Sequence, residues 1–231
     1  DKSNISSRII KIAVISVFLG VFVSLSAISI GKGLQIAIKD KLYSLTPDLV
    51  ISTYENNSRG IASEKINNFE SVNSEIKNAF PAIKFEKIIE KPTLISVDNS
   101  FETVIFRGVN NGYNFREFNK FIIGSKIKND ITNNEIIISK SLSDKLKISV
   151  GQILTLYFQV NNNQRIPNVR SFNVSYIYET DFPDYDNNYI IGNLETLQNV
   201  YKWSKNDFAN IEISIEDKSQ ISLIEKSISL L

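Results

Sequence analysis

Residues 184–195, DYDNNYIIGNLE, repeat the ligand spacing of an EF-hand calcium loop. Asp184, Asp186, Asn188 and Glu195 fall at loop positions one, three, five and twelve, and Ile191 at the apolar position eight. Oxygen donors at those intervals suit a hard cation. The sharp-turn glycine of position six is Tyr189, however, and the residues before Asp184 alternate like a strand where an entering helix is required. The four are a weak calcium set, and the preferred reading of the same residues is a polar turn leading into a strand and a helix.

Other familiar chemistry is missing from the 231 residues. The chain has no Cys and no His, which removes thiolate nucleophiles, Cys/His zinc sites and an imidazole base. It has neither a GxSxG elbow nor a Walker A loop, so a Ser nucleophile lacks its setting and ATP lacks a P-loop. Lys+Arg 26 against Asp+Glu 25 leaves a net charge of +1, too little for a phosphate-backbone footprint. The expectation is a non-catalytic chain without a cofactor or nucleic-acid partner. At 42% apolar and 22% charged residues it is nevertheless built to fold.

The elements that such a chain must position begin with a membrane helix. Ile12–Ile30 is an uncharged run of 19 residues between Lys11 and Lys32, long enough for a hydrocarbon core of about 30 Å. Three lysines or arginines flank each side, so charge leaves the orientation open. Beyond Gly31 and Gly33, which are read as turns or kinks, Leu34, Ile38, Leu42 and Leu45 keep the spacing of one helical face. A helix from Arg8 to Leu45, stopped by Pro47, would be about 57 Å long. Such a rod outreaches the bilayer, and its apolar face needs a partner helix.

Residues 47–231 read as an α+β extramembrane domain. Strands are expected at 48–53, 83–90, 92–97, 102–108, 135–139, 152–160, 171–179 and 209–216. Helices are expected at 63–81, at 139–148, at 193–203 behind an Asn193 cap, and after Asp217. Gly108, Gly124 and Gly151 are read as further structural turns.

Several strings in this order resemble the lipoprotein-releasing ABC permeases of the LolC/LolE type, within the wider MacB/FtsX-like permease family. They are RIIKIAVISVFLGVFVSLSAISIGKGLQIAIKDKL at the membrane helix, IFRGV at 105–109 with Gly124 beyond it, and EIIISKSLSDKLKISVGQILTLYF at 135–158. FNVSYIYETDFPDYDNNYIIGNLETLQNVYKW at 172–203 and ANIEISIED at 209–217 complete the set.

The resemblance implies a first transmembrane and stalk helix over 1–46 and a periplasmic core domain over 47–231. That domain would comprise a mixed α/β lobe and a β-rich lobe inserted at about 106–178. It further implies a non-catalytic subunit of a multi-pass inner-membrane complex. A separate ABC ATPase subunit would hold ATP and Mg, and a second permease subunit would pair as homo- or heterodimer. ATP-driven closure would then travel along the stalk to the periplasmic domains, which release a lipoprotein or other lipid substrate, in some systems to a periplasmic carrier. The alternatives are an FtsX-like scaffold for a cell-wall hydrolase and a single-span sensor.

Overall fold

In the computed structural model, residues 2–53, 64–66, 80, 83–97, 100–160, 166–215 and 220–228 are described. The expected helix over 63–81 has its body at 67–79, and the Asp217 cap precedes Gln220; both lie outside the described residues. The chain forms two compact units, Asp1–Thr46 and Pro47–Leu231.

The first unit is one helix, α1, from Lys2 to Leu45, 44 residues or about 66 Å. Its segment Ser7–Leu45, within which an 18-residue window reaches a mean hydropathy of 2.4, is long and apolar enough to cross a membrane. Hydroxyls within it bond to the carbonyl one turn back, Ser16 to Ile12 and Ser24 to Gly20, so they need no outside partner in an apolar setting. Gly31 and Gly33, expected as turns, lie inside the unbroken helix. The surrounding apolar and straight-chain residues carry the hydrogen-bond ladder through both, at a glycine cost of about 1 kcal/mol each.

The second unit is built on β1 (Leu49–Ser52), β2 (Lys84–Val97), β3 (Ser100–Val109), β4 (Ile122–Ile123), β5 (Glu135–Ser139), β6 (Ile153–Phe158), β7 (Asn168–Tyr178), β8 (Tyr189–Asn193) and β9 (Asn210–Ser214). Among the described residues four α-helices accompany them: α2 (Lys140–Leu146), the single turn α3 (Pro183–Asp186), α4 (Leu194–Tyr201) and α5 (Ile221–Ile228). The sheet is mixed. β3 runs parallel to β8 and β5 parallel to β7, whereas the other pairs are antiparallel.

The pairings close a ring, β2–β3–β8–β5–β7–β6 and back to β2. Each half of this six-stranded barrel contributes a hairpin, β2–β3 or β6–β7, and a strand that leads straight into a helix, β8–α4 or β5–α2. The two strand-to-helix corners use the same device. Ser139 and Asn193 are extended residues whose side chains accept from Leu142 N and Glu195 N, respectively, at the helix starts. The interior is filled by Ile95, Val104, Phe106, Leu154, Leu156, Phe158, Phe172, Val174 and Ile190, all buried. The barrel takes strands from both sides of 106–178, since β2 precedes that range and β8 follows it.

A single strand stands where two are expected at 83–90 and 92–97. β2 passes through Pro92, which pairs with Ile105 on β3. On its other edge β2 pairs with β9 over 84–88 and with β6 over 94–96. The Ile88 carbonyl faces β9, accepting from Ala209 N. By the two-residue alternation, Pro92 therefore turns its ring nitrogen to the gap between β9 and β6, where no N–H is called for.

Two glycines are explained by close approach. A Cβ on Gly192 would lie 2.2 Å from Phe106 Cζ, so only hydrogen fits beneath that ring. Gly192→Ala should overpack the barrel by about 1–3 kcal/mol, read as a lower thermal midpoint, and Phe106→Leu in the same chain should recover part of the loss. Gly108, expected as a turn, lies within β3 near its end; its added Cβ would meet Leu194 Cα at 3.0 Å, so it lets α4 lie against β3. Gly124 and Gly151 stand at φ +83° and +88°.

Candidate functional site

β1 begins four residues after α1 ends, so it is the strand nearest to that helix along the chain. Asp48 fastens that junction to β9. Its N–H donates to Ile213 O at 3.1 Å and its carboxylate accepts from Ile215 N at 2.8 Å. β1 then pairs with β9 through Leu49↔Ile213 to Ser52↔Asn210, and β9 pairs with β2.

Arg107 holds this group of strands to the barrel. In the order β9–β2–β3 it stands on β3, directly opposite Glu90 of β2. One guanidinium nitrogen donates to Glu90 Oε1 at 2.7 Å, and the other reaches across β2 to Glu212 of β9, at 2.6 and 2.5 Å from its two oxygens. A single buried side chain thus pins three adjacent strands. Burial opposes its charge, but Glu212, the Tyr113 and Tyr185 hydroxyls and Glu90 outweigh that, and its pKa lies well above the usual arginine value. Tyr113 lies over the cluster in hydrogen-bonding contact with Arg107. Tyr185 stacks on Tyr189 with ring centroids 4.8 Å apart, and burial pushes both phenols up. A cluster so paired is suited to holding strands in register and leaves no group poised for acid–base turnover.

On the inward face at the β9-to-β6 gap, Lys91 places its ammonium 4.9 Å from the ring centroids of both Tyr201 and Trp203. Burial lowers its pKa to about 8, below the model-peptide 10.5. Between pH 8 and 10 the unfolded chain therefore binds more protons than the folded one, so this group makes stability rise with pH. Lys91→Met should remove that rise, a difference that thermal midpoints of the two proteins at pH 7.5 and 10 would reveal.

The outer face of the barrel is apolar at its other end. Leu94, Tyr157 and Val169 are in register across β2, β6 and β7, with Phe101 on β3 nearby; Leu94, Val169 and Phe101 are exposed. Pro92, Thr93, Leu94, Thr103, Tyr157, Gln159 and Pro167 line a groove of about 440 Å³ there.

The residues singled out in the sequence are scattered. Leu34, Ile38, Leu42 and Leu45 follow one another along α1, the first three exposed. Asp184 and Asp186 are in α3, Asn188 follows it, and Glu195 is in α4. Asp186 is buried and accepts from Thr180 N and Oγ1, at 3.1 and 2.7 Å. Asn188 Nδ2 donates to Asp184 O, and Glu195 accepts from Asn133 Nδ2. Among the described residues no group of three or more His, Cys, Asp or Glu is disposed to hold a metal. The sequence reading missed Arg107, Glu90 and Glu212. The available signal was faint: Arg107 stands among apolar residues in VIFRGV and Glu212 between two isoleucines, whereas Glu90 lies in a strand of several charges.

The described residues thus form a long apolar helix followed by a mixed-sheet α+β unit. The MacB-like periplasmic core domain family matches residues 12–231, and the chain belongs to it. Membership supports an ABC-transporter permease-type function and implies an ATPase partner. The periplasmic region of MacB from Actinobacillus actinomycetemcomitans is similar in fold, with a TM-score of 0.51 at 16% identity over 78% of this chain and 79% of that one. The extracellular domain of the noncanonic ABC-type transporter YknZ from Gram-positive bacteria gives 0.49 at 16% identity, over 76% and 86%. No curated protein matches.

Proposed function

We propose that this chain is the stalk and outer domain of a permease subunit that transmits ATP-driven motion to an extracytoplasmic module, which releases or hands on a lipoprotein or another lipophilic substrate. The observation that carries this reading is α1 itself, about 66 Å of unbroken helix where a bilayer's hydrocarbon takes about 30 Å. A rigid helix carries displacement where a flexible tether dissipates it. The clamp of Arg107 on β9, β2 and β3 supports the next step, because strands so pinned move as a body with the barrel. The exposed apolar row Leu94–Tyr157–Val169 supports a lipophilic cargo.

ATP and Mg belong in this scheme to the partner ATPase, and a second permease subunit covers the apolar face of Leu34, Ile38, Leu42 and Leu45. The test is purification of the full-length protein from its own membrane, with its associated proteins identified. An ABC ATPase together with a lipid-modified protein or its carrier is the expected result. An ATPase together with a cell-wall hydrolase would replace cargo release by FtsX-like scaffolding. Association with neither an ATPase nor another permease subunit would overturn the reading.

A further inference from the structure

The joint between β9 and β2 carries a feature that the Arg107 clamp does not use. Glu86 of β2 and Glu212 of β9 are directly opposite in the antiparallel register, on the same outer face as Arg107 and Glu90. Like charges in that position repel across the pair. Glu212 has both oxygens on Arg107. Glu86 is half-buried at the floor of a cleft of about 700 Å³ between β2 and the segment after β3. Its carboxyl is hydrogen-bonded by the Asn114 N–H and the Asn110 side chain, neither of which brings a charge.

We infer that the β2–β9 joint is proton-operated: a proton on Glu86 tightens β9 against β2, and its loss sets two facing carboxylates against each other and loosens the joint. Charged and titratable groups stand on the same outer face as Glu86. From β2 itself come Lys84 and Glu90, from β9 Glu212, from β3 Arg107, and from the covering segment the Tyr113 phenol. Arg116, Lys128 and Asp130 line the cleft mouth. The guanidinium nearest the carboxylates is already shared between Glu90 and Glu212, so the buried set holds one carboxyl more than its single arginine can pair. Burial is the main cause that raises the Glu86 pKa above 4.5, Glu212 adds to it, and the two hydrogen bonds and Lys84 oppose it. A raised carboxyl has a definite sign: above pH 4.5 the folded state binds more protons than the unfolded, so its stabilisation is present at acid pH and lost as pH rises through the folded pKa. Because β9 also holds β1 and Asp48, the proton would set how firmly the strands after α1 grip the barrel.

Hydrogen exchange of the full-length protein in nanodiscs tests this, with opening constants for 210–214 corrected for intrinsic rates at pH 5.0 and 7.5. Protection of β9 should be greater at pH 5.0, by up to about fivefold, the upper end for one like-charge cross-strand pair, while β5 and β7 show no such change. Glu86→Gln should give the high value at both pH values, and Glu86→Met the same should the glutamine variant fold poorly. Glu117→Gln, at an exposed glutamate outside the joint, should keep the wild-type dependence. A wild-type β9 whose protection does not change with pH, or a Glu86→Gln protein that retains the change, would overturn the inference.

Discussion

Arg107→Ala is expected to destabilise the outer unit by about 3–5 kcal/mol, seen as a lower midpoint in chemical denaturation of the detergent-solubilised protein. The size follows from what is left behind. Glu90 and Glu212 are both largely shielded, and without the guanidinium two carboxylates stay in a low-dielectric setting with nothing to balance them. The loss should be mostly electrostatic, because the Arg107 stem contributes packing that Arg107→Met preserves. Arg107→Met should therefore be nearly as unstable as Arg107→Ala, and replacing Glu90 and Glu212 together by Gln in the Met background should recover most of the loss. A change below about 1 kcal/mol for Arg107→Ala would show that the strands are held by the ladder alone.

Ile38→Pro is expected to disconnect the outer domain from the ATPase while both stay folded. A proline at that position removes one backbone bond of α1 and clashes with the preceding turn, at about 3 kcal/mol or more in an interior helical position. The break falls beyond Lys32, outside the uncharged stretch, so membrane insertion is preserved. Nucleotide hydrolysis by the assembled complex should continue, and substrate release should fall by at least about tenfold, as expected when a transmitting element rather than the motor is lost. Ile38→Ala removes the same side chain and keeps the helix. If both variants lost release equally, side-chain contact with the neighbouring subunit, not helix continuity, would be the property that matters.

The parts of this fold that local physics dictates were legible in the sequence. The apolar run and the 34–45 periodicity gave α1, strict alternation gave β9, and Asn193 marked a helix start because a capping oxygen acts within three residues. What remained hidden depends on distant partners. Pro92 argued for two strands, and only the gap between β9 and β6 makes one strand tolerable. The barrel closes through β6 on β2, a pairing of residues some sixty positions apart that no window contains. The same holds for the candidate site, since Arg107 and Glu212 are 105 residues apart. The acidic spacing at 184–195 drew attention because it is local, whereas Asp186 spends its carboxylate on Thr180.

On the proposed reading, α1 carries displacement from the bilayer to the outer domain as one rigid rod. These 231 residues contain no Cys, so single cysteines introduced on α1 report cleanly in a complex whose other cysteines are replaced. Pulsed electron-spin distances between the permease subunits of the assembled complex in nanodiscs, with spin labels at Val14 and separately at Tyr43, should be compared with and without trapped nucleotide. Both positions are exposed on α1. Nucleotide should shift both distances together, with the Tyr43 distribution as narrow as that at Val14. A shift at Val14 with an unchanged or broadened Tyr43 distance would contradict it.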